Sequence, residues 1–328
     1  MESLLFAFNA VAPIILLVAI GYLLKRSRFI SESFIKTGNK LVFRVFLPAM
    51  LFLNIYNIQG FGGIGMGYIV YVAVALLIIF LVSVPLCLTV AKRRESVGAL
   101  LQATFRSNYA LVGIPLAQSL FGEEGAAVAT LLSAVSIPIF NILAVISLSV
   151  FRAGGKKTSA RDILRDIAKN PLLQAIALGL LTLAGRALLT RFGIGFRLDQ
   201  ITPIFKVLDY LSKMATPLAL LVLGAEFEFS AIKGLRREIV CGTLMRTLFV
   251  PLFGIGIAFL CFADQFNGAH FASFVAVFAT PVAVSSVPMA QEMGGDSTLA
   301  GQLVVWTTLF SALSVFLAAF LLKLGGVF

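Results

Sequence analysis

Runs of about 20 apolar residues with almost no charge recur along the whole 328-residue chain, from Leu4–Leu24 to the last at 299–322. A helical run of that length matches the ~30 Å hydrocarbon core of a bilayer. Backbone in hydrocarbon must satisfy its own hydrogen bonds, so repeated runs of this kind fold as helices. Only 12% of the residues are charged and mean hydropathy is +1.01. That is about half the charge of a soluble domain. The chain reads as an all-α polytopic membrane protein.

Ten spans are expected, at 4–24, 39–57, 68–91, 98–120, 126–151, 171–189, 208–226, 238–262, 271–291 and 299–322. The first reads as a retained span, since Glu2 precedes it and no basic segment does. Four alternate loops hold 17 of the 26 Lys and Arg. They follow spans one (Lys25, Arg26, Arg28, Lys36, Lys40), three (Lys92–Arg94), five (Arg152, Lys156, Lys157, Arg161, Arg165, Lys169) and seven (Lys233, Arg236, Arg237). By the positive-inside rule these loops are cytoplasmic, so both termini lie outside a plasma membrane, as in a bacterial inner membrane. The net charge of +11 is thus a topology signal. Dispersed clusters without interleaved aromatics do not suit a nucleic-acid partner.

The basic stretch 152–170 reads as a cytoplasmic linker between two five-span repeats, 1–151 and 171–328. Five is odd, so the second repeat is inverted relative to the first, a common transporter arrangement. The halves retain likeness. An offset of 173 aligns Ala99–Glu123 with Ala272–Asp296 at eight identities in 25 positions, among them Pro115/Pro288, Gln118/Gln291 and Gly122/Gly295. An offset of 169 pairs Arg44 and Pro48 with Lys213 and Pro217.

Spans four and nine carry helix-breaking residues at matching points: Asn108, Gly113 and Pro115 in one, Pro281, Ser285, Ser286 and Pro288 in the other. Proline removes a donor and clashes with the preceding turn. Broken backbone persists in a bilayer only where protein or a water-filled cavity covers it. Two interrupted helices meeting near the midplane follow, with half-helix N-termini that favour a carboxylate and freed carbonyls that favour a cation. The candidate substrate-binding set is Asn108, Gly113, Pro115, Gln118, Asn141, Arg246, Pro281, Ser285, Ser286, Pro288 and Gln291. Arg246 admits two readings, attracting an anion from a cavity wall or pairing with a carbonyl or carboxylate inside the bundle. Arg106 is read as snorkelling to the interface, Arg44 and Lys213 as scaffold anchors.

Other chemistries are poorly served. One His (His270) cannot build a two-His metal site. Cys87, Cys241 and Cys261 lack metal or disulfide spacing and read as small core hydrophobes. Gly60-Phe-Gly62-Gly63-Ile-Gly65 matches a dinucleotide fingerprint but follows a span, not a strand, so it reads as a flexible loop. Ser133 and Ser136 read as packing residues. No acid sits in mid-span, which disfavours carboxylate-based cation exchange. No catalytic residue, metal or cofactor is expected.

The strings at 107–125 ("SNYALVGIPLAQSLFGEEG"), 41–52 ("LVFRVFLPAMLF"), 20–30 and 279–296 ("ATPVAVSSVPMAQEMGGD") resemble the auxin efflux carrier family. That resemblance implies the fold of bile-acid and sodium/proton transporters, with spans one, two, six and seven as a scaffold. Spans three to five and eight to ten would form a moving domain, four and nine crossing at the substrate site. It also implies an organic anion as substrate, the bacterial relatives being linked to malate- and malonate-like carboxylates. The expected function is alternating-access transport of a small organic anion, with membrane lipid and a second copy paired through the scaffold as partners. An uncoupled facilitator or channel, a sodium- or proton-coupled symporter, and a sensor subunit with a vestigial site are the alternatives.

Overall fold

The computed structural model describes residues 2–58, 65–154, 159–193, 195 and 197–328, with side chains from residue 12 onward. Gly60, Gly62 and Gly63 of the glycine motif, and Gly155, Lys156 and Lys157 of the linker, lie outside the described residues. The helices are α1 (Glu2–Arg26), α2 (Glu32–Leu41), α3 (Leu47–Tyr56), α4 (Met66–Val90), α5 (Arg94–Phe105), α6 (Ile114–Val150) and α7 (Ala160–Lys169). There follow α8 (Pro171–Arg191), α9 (Thr202–Glu226), α10 (Ala231–Leu244), α11 (Val250–Phe262), α12 (Gly268–Phe278), α13 (Ser286–Glu292) and α14 (Ser297–Leu324). The described chain is all-helical apart from loops and one isolated extended pairing, Ser107 with Val282.

Seven continuous helical stretches are long and apolar enough to cross a membrane among the described residues: 32–56, 66–90, 109–150, 171–191, 202–226, 231–265 and 297–324. Span one is not among them, its first residues having no described side chains; the rest of the difference from ten has local causes. The stretch 109–150 is two helices in one, folded at Phe121–Gly122. The apolar run of span four divides into α5 and the helix that resumes at Tyr109, and that of span nine into α12 and the seven-residue α13. Span two begins earlier than its apolar run, because α2 is amphipathic and continuous with α3.

Proline shapes the long helices in a consistent way. Wide π turns at Val42–Phe46, Tyr109–Gly113 and Met245–Phe249 each stop two residues before a proline: Pro48, Pro115 and Pro251. A proline ring cannot donate to the carbonyl four residues back and crowds it, so the helix loosens by one residue per turn there. The freed carbonyl before Pro251 is that of Thr247, and the Ser314 hydroxyl donates to it at 2.5 Å.

Two groups of helices emerge from the packing. In one, α1 lies against α9, and α3 against α8 and α9; in the other, α12 lies against α6, and α5 and α10 against α14. The linker helix α7 opens on a reciprocal Ser159–Asp162 cap, buries none of its residues, and is tied to the end of α6 by an Arg152–Asp166 ion pair of 2.7 Å. The cysteines are free, but Cys261 is exposed and so is not the core residue expected, since it sits at the outer face near the end of α11.

The fold at Gly122 has φ +60° and ψ −154°, a region essentially closed to side-chain-bearing residues. A Cβ there would meet nothing within 4 Å, so any penalty is purely conformational. Gly122→Ala is expected to lower stability by about 1–3 kcal/mol. Gly185→Ala, at an ordinary position in α8 that is equally free of neighbours, should be neutral or stabilise by up to ~1 kcal/mol. Thermal unfolding of the two purified variants separates them, and equal midpoints would contradict this account.

Candidate functional site

The chain leaves helical geometry after Phe105 and again after Phe278, and the two unwound segments meet. They run antiparallel: the Asn108 N–H donates to the Pro281 carbonyl at 2.8 Å, and the Ala283 N–H to the Arg106 carbonyl at 3.2 Å. Each broken helix supplies what the other lacks. The hydroxyls of Ser107 and Thr280 lie 2.7 Å apart, and these residues are separated by the 173-residue offset of the sequence repeat. Gly113 is needed for the approach, because a Cβ there would come within 3.0 Å of the Ala276 carbonyl and 2.9 Å of the Tyr109 ring.

Two arginines serve the crossing from opposite sides. Arg246, in the π turn before Pro251, is fully buried. It donates from Nε to the Thr280 carbonyl at 2.7 Å, from Nη2 to the Val277 carbonyl at 2.8 Å, and from Nη1 to the Thr104 carbonyl at 3.4 Å. Those carbonyls terminate α5 and α12, where helix dipoles leave partial negative charge. Of the two readings open for Arg246, the structure selects the carbonyl clamp within the bundle; its donors face the break rather than a cavity.

Arg106 is 2% exposed and does not snorkel, which corrects the reading from sequence. It follows Arg94 at the start of α5 by 12 residues, about 18 Å of helix and beyond the reach of its side chain to an interface. Its Nη1 donates to Gln102 Oε1 at 2.8 Å and lies 2.9 Å from Met289 Sδ; its Nη2 donates to Asn141 Oδ1 and Ser285 Oγ, each at 3.0 Å. All of these acceptors are neutral. Among the described residues neither Arg106 nor Arg246 is in an ion pair. Three further buried polar atoms in or next to the two broken helices have no hydrogen-bond partner: Gln102 Nε2, Asn108 Nδ2 and Ser286 Oγ.

A chain of this layout can be placed among known proteins. A model of the membrane transport protein family matches residues 6–318. The chain belongs to that family. The auxin efflux carrier resemblance of its strings is the same relationship. An uncharacterized transporter of Methanothermobacter thermautotrophicus is 24% identical over 314 residues, covering 94% of this chain and 95% of the relative. Another, from Methanocaldococcus jannaschii, is 28% identical over 233 residues, covering 69% and 70%.

For this family member the candidate set divides in three. Asn141 and Ser285 accept from Arg106 directly, Asn108 and Ser286 are near neighbours of these contacts in sequence, and Gly113 with buried Pro281 and Pro288 shapes the backbone of the two broken helices. Gln118 is exposed and donates to Glu123 at 2.8 Å, and Pro115 is exposed as well. Both sit on the far side of the resumed helix, so they line the fold rather than the cluster. Gln291 is taken up elsewhere: Asn39, 1% exposed, donates to both Glu226 (2.9 Å) and Gln291. Its neighbour Glu292 pairs with Arg44 at 3.2 Å, so Arg44 does more than anchor a span end. Beside these ties is a polar cavity of about 360 Å³, bordered by Lys25, Glu226, Val287, Ser297 and Gln302 among others. Ser133 and Ser136 donate back to Thr130 and Leu132 in their own helix. Sequence reasoning missed Gln102, whose signal was a polar side chain within a largely apolar run, and Asn39, which sits among the polar residues of the amphipathic α2 and carried no such signal. It also missed Glu238, fully buried in α10 and accepting from the Lys92 N–H at 3.1 Å.

Removing Arg246 leaves three buried carbonyls without their donor. Arg246→Gln should destabilise the protein by about 3–5 kcal/mol, seen as loss of the monodisperse peak in size-exclusion chromatography, and Arg246→Lys should recover part of it. An Arg246→Gln protein as stable as the parent would show that the clamp is dispensable.

Proposed function

We propose that the chain is a secondary transporter that carries a small organic anion, such as a carboxylate, by alternating access about the α5–α12 crossing. Arg106 carries this reading. A guanidinium stays charged in a protein, and taking it out of water without a counter-charge costs several kcal/mol. Here it is held by neutral acceptors only, and three donor-bearing groups in or next to the two broken helices have nothing to donate to. A carboxylate accepts from the guanidinium in bidentate geometry, whereas an amine would face only repulsion from it. Ser285 and Ala110 at the rim are half-buried, so the cluster borders accessible surface.

In the fold we propose, ten spans form two inverted five-helix repeats, and the meeting of Ser107 with Thr280 supports it. α1–α3, α8 and α9 form the scaffold; α4–α6 and α10–α14 form the moving domain. The ties of Asn39 to Gln291 and Arg44 to Glu292 run from scaffold to moving domain, so an alternating-access cycle must break them. The polar cavity bordered by Glu226, the partner of Asn39, and by Val287, the neighbour of Ser286, would serve as the approach to the site from that side. Loop charges support a multi-pass plasma-membrane protein with both termini outside, and the scaffold is the surface through which two copies would pair.

Uptake of labelled carboxylates into proteoliposomes tests the site. Arg106→Gln and Asn108→Ala should each lower uptake by about 10–100-fold, the equivalent of about 1.5–3 kcal/mol of lost charged hydrogen bonding, while the purified proteins remain monodisperse. Uptake near the parental rate in both would place the substrate elsewhere. Separately, Asn39→Ala with Arg44→Gln should change the ratio of inward to outward flux without abolishing substrate binding. An unchanged ratio would exclude the ties as a gate.

A further inference from the structure

Along the outside of α4 and α10 runs a groove of about 750 Å³ that the transport reading leaves unused. Its floor is apolar, formed by Leu86 of α4 with Val240, Leu244 and Phe249, and Arg236 and Arg237 also line it. The apolar residues of the α10 side are about half exposed, 49% for Val240, 46% for Leu244 and 53% for Phe249. Both arginines are exposed, and neither is in an ion pair among the described residues. The groove is therefore polarised along its length, with paired positive charge at the α10 start and hydrocarbon surface beyond. Arg237 and Phe249 are 12 residues apart, about 18 Å of helix, close to the ~15 Å depth of one hydrocarbon leaflet.

We propose that this groove is a binding site for one anionic phospholipid. Its phosphate lies on Arg236 and Arg237, whose guanidinium groups donate to phosphate oxygens in fork geometry, and an acyl chain runs over Val240 and Leu244 to Phe249. The arginines lie in the early turns of α10, and in the proposed topology they face the cytoplasmic leaflet, the one rich in anionic lipid. The far end of the groove is built on the same π turn, Met245–Phe249, whose Arg246 points the other way onto the crossing carbonyls. A seated lipid thus steadies the turn that holds the clamp.

The test is thermal unfolding of the full-length protein in detergent with added phosphatidylglycerol, phosphatidylcholine or soluble glycerol phosphate. It requires no substrate, so it stands or falls apart from the transport reading. Phosphatidylglycerol should raise the midpoint by about 2–4 °C more than phosphatidylcholine, and glycerol phosphate should leave it unchanged. Arg236→Gln with Arg237→Gln, both at the surface, should keep the lipid-free midpoint and lose that excess. Native mass spectrometry should find phosphatidylglycerol retained by the parent and absent from the double variant. Equal shifts with the two lipids, an excess that survives in the double variant, or the same rise with glycerol phosphate would each overturn the proposal.

Discussion

Two stretches of backbone that have left their helices must find hydrogen-bond partners where no water can supply them, and the rest of this structure is arranged around that need. Each unsatisfied group in hydrocarbon costs several kcal/mol. The segments answer partly by pairing with each other, Asn108 to Pro281 and Ala283 to Arg106. The carbonyls that remain, at the ends of α5 and α12, receive the Arg246 guanidinium. One buried charge is thereby matched by two helix dipoles. The second, Arg106, meets neutral acceptors alone, which leaves the centre of the molecule short of negative charge. The proposed anion is what completes it.

Proline is the device that keeps the backbone soft near this centre. Each π turn before Pro48, Pro115 and Pro251 is a helix held one residue out of register, and two of the three carry residues the site depends on. The turn before Pro115 brings Gly113 against Ala276; the turn before Pro251 carries Arg246. The carbonyl freed by Pro251, that of Thr247, is taken by the Ser314 hydroxyl of a neighbouring helix, so that bend leaves no polar backbone group exposed to lipid.

Much of this was legible before any coordinates. Apolar runs gave the all-helical class, because hydrocarbon permits few alternatives to a helix. Pro115 and Pro288, in register at an offset of 173, marked the two helices that break, since proline acts on the backbone and needs no knowledge of neighbours. Side-chain direction around the break was not legible, because an unwound segment has no 3.6-residue period from which to read a face. Arg106, in the unwound segment, was therefore assigned to the interface; Gln118 and Gln291, on the helices beyond the break, were assigned to the site, although Gln118 turns outward to Glu123 and Gln291 is held by Asn39. Arg106 could have been placed by depth alone, three turns beyond the basic cluster at Arg93 and Arg94. No comparable signal existed for Asn39, whose partners lie 187 and 252 residues away.

The most direct test of the central claim is the sign of the ligand that the crossing accepts. Thermal stabilisation of the purified parent protein by a matched series of acids, amides and amines of one carbon skeleton reads this without transport. The account predicts stabilisation that rises with acid concentration, little effect from the amides and none from the amines. Stabilisation by the amines in preference to the acids would contradict it.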